Sequence, residues 1–226
     1  MRISSAFGTV VLIPALCLCA PGQNTQSKDP QASEAKGIPP RAAPADYQAQ
    51  APAGTVTVAA EFIGHSIPTP DGSTYTTEDY VAVETGLFGP SGARLKISID
   101  NFSLRVYAKK MTSLPSQPFG MVFRSLKDPV WEDSVAVEAK AAKSGNGIST
   151  GGKSGEKEPA APVHMPLELQ RAMQQRVQKT ALPEGGRALP QAGLIFFPYR
   201  GKVAGIHSIE LVYTGPAGTA TLTLQP

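Results

Sequence analysis

The sequence predicts a mainly β chain: an antiparallel β-sandwich of about seven strands, with one inserted helix and disordered segments. Three observations point there. Short runs of alternating apolar and polar residues, rich in β-branched side chains, recur between residues 54 and 226. Turns built on glycine and proline separate those runs. Only one stretch places apolar residues at helical spacing. The 226 residues include 22 glycines and 21 prolines, a share well above the average of about 12%. That excess fits tight turns together with biased segments.

Residues 1–22 read as a secretory signal peptide. Arg2 is the only charge ahead of the apolar run 6–20, which is too short to span a bilayer and is interrupted by Pro14. Ala20 and Gly22 supply the small residues that cleavage needs, so Gln23 is the expected mature N-terminus. Cys17 and Cys19 stand where a lipoprotein cysteine would, but Leu16 and Leu18 precede them where a small residue is required. Both cysteines leave with the signal. The mature chain is then expected to have no disulfide, no thiol nucleophile and no thiolate metal site.

Residues 23–53 hold almost no large apolar side chains and read as a disordered linker before the domain at 54–226. The first strand is expected at 55–64 (TVTVAAEFIG) and the second at 80–89 (YVAVETGLFG). Leu95, Ile97 and Ile99 share one face of a strand at 93–99, and Asp100 and Asn101 turn the chain. Phe102, Leu104 and Val106 continue in register, and a short strand is expected at 119–123 (FGMVF). The near-continuous apolar run 193–201 reads as a buried strand whose far end Pro198 consigns to an edge or bulge. Ile209, Leu211 and Tyr213, then Leu222 and Leu224, mark the last two strands around a 215–218 turn.

Residues 137–163 form a low-complexity insertion. After it, 166–182 reads as the one helix: Pro166 suits its first position, and Leu169, Met173 and Val177 recur every four residues. That stripe docks on the sandwich or meets a partner. Trp131, the single tryptophan, lies beside Asp128-Pro129 outside the clear strands. Trp131, Leu169, Met173 and Val177 are therefore the candidate partner contacts.

Two glycine-rich matches carry no chemistry in their context. Residues 147–154 fit the phosphate-binding loop and 147–151 fit a nucleophile elbow. Both need a strand before and a helix after, and Pro159 and Pro162 block that helix. His65, His164 and His207 are far apart in sequence, without metal-ligand spacing. The adjacent pairs Glu78-Asp79 and Glu132-Asp133 cannot share a strand face. No catalytic, cofactor-binding or metal residue is assigned, and no cofactor is expected. A net charge of +3 is too small to point to nucleic acid.

The elements YVAVETGLFG, DNFSLRV, GLIFF and SIELVY resemble the immunoglobulin-like domain of unknown function found in exported bacterial proteins and lipoproteins. The 54–226 region is also similar to a group of exported proteins of Gram-negative bacteria. The resemblance implies an Ig-like sandwich outside the cytoplasm and brings no catalytic residues. The long insertion at 114–192 departs from the simple domain.

The expected function is thus binding or assembly at the cell envelope, in the periplasm or outside the cell, with an unknown protein or envelope component as partner. No transmembrane span is expected in the mature chain. Two alternatives stand beside it: an exported hydrolase with a site assembled from dispersed His and carboxylate residues, and a lipid-anchored structural envelope protein.

Overall fold

The computed structural model describes residues 36–144 and 164–226, with side chains described outside 138–144. The expected signal peptide with Cys17 and Cys19, residues 23–35, and both glycine-rich matches lie outside the described residues, as does most of the low-complexity tract. In chain order the elements are β1 (Ala49–Ala53), β2 (Val56–Gly64), β3 (Ser66–Pro68), β4 (Thr74–Thr77), β5 (Tyr80–Phe88) and β6 (Arg94–Ile97). Next come β7 (Phe102–Tyr107), β8 (Met111–Pro115), α1 (Phe119–Val122), β9 (Leu126–Lys127), α2 (Pro129–Ser144) and α3 (Leu167–Thr180). The chain closes with β10 (Gly185–Ala188), β11 (Gln191–Pro198), β12 (Ser208–Gly215) and β13 (Gly218–Leu224).

Two four-stranded antiparallel sheets form a sandwich, ordered β1-β2-β5-β11 and β13-β12-β7-β8. Between them Val58, Val83 and Phe197 of the first sheet meet Leu104, Leu211 and Leu222 of the second in one buried cluster. Along β7, β12 and β13 buried and open positions alternate. One face of that second sheet is core and the other is surface. β5 and β11 do not alternate; every residue between their ends is buried. The cause is a third layer on the outer face of the first sheet. There Ala82, Leu194 and Phe196 lie under Ile67 and Tyr75 from β3 and β4, Val122 of α1, and Met173 and Val177 of α3. Burial on both faces is what makes the 193–197 run continuously apolar.

Thr85 is one of two polar residues buried in β5, beside Glu84. It is fully buried, and its hydroxyl has no hydrogen-bond partner among the described residues. A buried unpaired hydroxyl costs about 1–3 kcal/mol. Thr85→Val keeps the shape and removes the polar atom. It is expected to stabilise the fold by about 1 kcal/mol, raising the melting midpoint by about 2–4 °C in calorimetry. A lowered midpoint would show that the hydroxyl is paired.

Residues 36–53 correct the expected linker. β1 pairs in full register with β2, from Ala49↔Ala60 to Ala53↔Val56. It holds no large apolar side chain because the site needs none: Ala53 is buried, and Ala49 and Ala51 pack on the core. Pro52 is tolerated because β1 is an edge strand. Ahead of β1, residues 36–48 form a strap over the outer face of the first sheet. Gly37, at φ 75°, brings the backbone against β11, where the Ile38 N–H donates to the Ala192 carbonyl at 3.0 Å. Tyr47 is buried over Gly86, whose missing Cβ leaves room for the phenol ring.

An arginine locks the strap. Arg41 donates through Nε and Nη2 to both carboxylate oxygens of Glu84, at 3.1 and 2.8 Å. Its Nη1 reaches Glu61 Oε2 at 2.5 Å and the Asp46 carbonyl at 2.6 Å. Its guanidinium also lies 4.5 Å from the Tyr47 ring centre. Glu61 and Glu84 face each other across β2 and β5, a like-charge pair that only a shared cation makes tolerable. The bond to Glu84 is the largest influence holding the Arg41 guanidinium above its already high ordinary pKa.

Two further expectations are corrected. Residues 119–123 are not a strand: they form α1 and enter the 3₁₀ turn Phe123–Ser125. Phe119 and Phe123 are four apart, so one helical turn sets both rings on one side, where both pack on the outer cluster. The inserted helix is accompanied by a second long one, α2. Asp128 Oδ1 accepts from the N–H groups of Val130 and Trp131 at 3.0 and 3.3 Å, an N-cap followed by proline at the first position. Asp100 and Asn101 do turn the chain, in the 3₁₀ turn Ile99–Asn101, where Ser98 Oγ accepts from the Asp100 N–H at 3.3 Å. The helix expected at 166–182 is α3, with Pro166 as its N-cap.

Candidate functional site

The exposed edge of β11 is sealed piecewise. Its outward carbonyls at Ala192, Leu194 and Phe196 accept from the N–H groups of Ile38, Leu182 and Gln117, at 3.0, 3.0 and 2.8 Å. Three separate segments therefore cap one edge strand, a common way to protect an edge from foreign pairing. The gap between two of them, the Gln117 segment and the Leu182 segment, opens into a cleft of about 660 Å³.

The cleft's floor is Leu194, Ile195 and Phe196 of β11. One wall is the turn after β8, which presents half-buried Phe119 and Phe123. The Phe119 and Phe196 rings stand 6.2 Å apart at 50°. The opposite wall is α3, through Arg171, Gln174, Gln175 and Gln178. These occupy positions i, i+3, i+4 and i+7, one continuous stripe of the helix. Met173, Val177 and Thr180 occupy the buried stripe. Arg171, Gln174 and Gln175 have no hydrogen-bond or ion-pair partner among the described residues. Arg187 and Glu184 stand at the mouth, with Glu184 Oε1 accepting from the Ile99 N–H at 3.1 Å.

The residues expected as partner contacts are separated by the fold. Met173 and Val177, at 4% and 0% exposure, are consumed by the chain's own core, which corrects their reading as contacts. Leu169 is exposed. Trp131, half-buried on α2, lines a second cleft of about 420 Å³ with Met165, Met173, His164 and Asp128. The α3 stripe that faces the main cleft was not singled out from the sequence. Its signal was the helical spacing of Arg171, Gln174, Gln175 and Gln178 on the side away from Met173.

The histidines do not converge. His65 places Nδ1 at 2.7 Å from the Tyr80 carbonyl and Nε2 at 2.9 Å from the Gly201 carbonyl, so it bridges backbone. His207 is exposed, its ring tilted at 49° to that of Tyr107 with centres 5.7 Å apart. Among the described residues no group of three or more His, Cys, Asp or Glu is placed to hold a metal. No helix of the described residues is long and apolar enough to cross a membrane.

Fold and site together define a class: a three-layer β-sandwich protein with an open, aromatic-floored cleft walled by a polar helix face. No family model, curated protein or solved structure matches the chain.

Proposed function

We propose that this is an exported, non-catalytic binding protein of the cell envelope, which holds its ligand in the cleft between α3 and the turn after β8. The carrying observation is chemical. Arg171, Gln174 and Gln175 are polar side chains without partners among the described residues, on the wall of a cleft with an apolar, aromatic floor. Convergent polar groups over an apolar floor are the composition of a ligand site. Export is supported by the character of residues 1–22, and the resemblance to the Ig-like domain of exported bacterial proteins belongs to the same proposal.

A photoreactive amino acid in place of Gln174 tests it in intact cells. The expected result is an adduct in the envelope fraction, from a chain whose N-terminus is Gln23 by mass spectrometry. The same reagent in place of Thr221, exposed on the second sheet, is expected to give none. Equal labelling from both positions, or a cytoplasmic chain starting at Met1, sinks the proposal. A lipid on Cys17 or Cys19 would instead favour the membrane-anchored alternative.

A further inference from the structure

Resting on that reading, we infer that the cleft takes a carboxylate-bearing saccharide, a short acidic oligosaccharide rather than a peptide. The first reason is what the cleft does not offer. A peptide bound by strand addition needs free backbone groups along a sheet edge. Here the outward carbonyls of β11 are already used by Ile38, Leu182 and Gln117. Recognition in this cleft therefore falls to side chains.

The second reason is what those side chains can do. A carboxamide presents a donor and an acceptor side by side. A sugar hydroxyl is also both donor and acceptor, so neighbouring hydroxyls fit carboxamides in either sense. Gln174 and Gln175 line the cleft without partners among the described residues, and Gln117 and Gln178 line it too. An apolar or aromatic ligand would use neither the Gln174 nor the Gln175 amide.

The third reason is charge. Arg171 adds a guanidinium with no partner among the described residues, and a guanidinium binds a carboxylate through two parallel hydrogen bonds. Among the described lining residues the one carboxylate, Glu184, is turned toward the Ile99 N–H and Ser98, and it makes no ion pair with Arg171. The half-buried rings of Phe119 and Phe123 give the apolar surface on which the C–H faces of pyranose rings pack. The lining leaves open space at Gly120, where an added Cβ would touch nothing within 4 Å.

Titration calorimetry of the purified chain tests the inference with four named probes: tetragalacturonate, neutral maltotetraose, a tetraglutamate peptide and citrate. Tetragalacturonate is expected to bind, and the other three to bind at least about tenfold more weakly. Arg171→Ala is expected to weaken tetragalacturonate about tenfold and to leave maltotetraose unchanged, as one charge-assisted contact would. Arg171 is exposed, so this variant should fold; an unchanged thermal midpoint checks that. Equal binding of maltotetraose overturns the charge argument. Equal binding of tetraglutamate or citrate overturns the saccharide argument. No binding of any probe overturns the inference. If the Gln174 adduct still forms in cells in that case, the binding reading survives; if the adduct is also absent, both fall.

Discussion

Arg41→Ala is expected to destabilise the folded chain by about 3 kcal/mol, the cost of leaving a hydrogen-bonded, largely buried carboxylate without its cation. Glu84 is 9% exposed, and it loses two guanidinium bonds at once. Glu61, opposite it on β2, then becomes an uncompensated like charge. The strap at 36–48 loses its cross-link to the sheet, because Arg41 is also what joins Asp46 and Tyr47 to that pair. Thermal unfolding should fall by about 6–12 °C, and hydrogen exchange at Tyr47 and along β1 should accelerate before the rest. Arg41→Lys keeps the charge without the planar fork and should recover less than half of the loss. A double change of Arg41→Ala with Glu84→Gln should cost less than the two single changes added together. Strict additivity would show that Arg41 and Glu84 do not act as a unit.

That lock explains why part of the fold was not legible. Arg41 and Glu84 are 43 positions apart, and nothing in a Pro- and Ala-rich segment announces that its arginine has a partner on a distant strand. A search for large apolar side chains passes over β1, whose alanines are small because they fill close contacts. Where burial is one-sided, alternation was readable: Ile209, Leu211 and Tyr213 do point into the core. Where burial is two-sided, the continuous run of β11 was readable as a buried strand, though not as the centre of three layers. At α3 the apolar stripe and its length were plain, but its direction was not. Sequence periodicity shows that Met173 and Val177 share a face; only the fold shows that β11 covers them and leaves the glutamine face to the cleft. The 119–123 segment failed for a different reason. Two phenylalanines four apart fit a helical turn as well as an interrupted strand, and five residues are too few to decide.

Gly193→Ala carries the other large expected effect, because it strikes the joint between the sheet and the cleft. Gly193 lies on β11 opposite Thr85. A Cβ there would fall on the backbone of Leu182, at its N and Cα, and 2.9 Å from the Ala181 carbonyl carbon. No side chain can swing aside to make room, so the backbone after α3 must retreat. The Leu182 N–H to Leu194 bond at 3.0 Å then lengthens, and the end of α3 lifts from the layer that buries Val177. Overpacking of this kind costs about 1–3 kcal/mol, occasionally more, and the upper end is expected because both partners are main chain. Ala181, Leu182, Leu194 and Ile195 also line the cleft. Binding should therefore weaken together with stability, and amide protection should drop first in α3. Gly120→Ala is the matched control: it too lines the cleft, but its Cβ meets open space, so stability should stay within about 0.5 kcal/mol. If both variants melted alike, the close approach at Gly193 would not be what holds α3 to the sheet. If Gly193→Ala lowered stability but left cleft binding intact, the wall of α3 would be positioned by Met173 and Val177 alone.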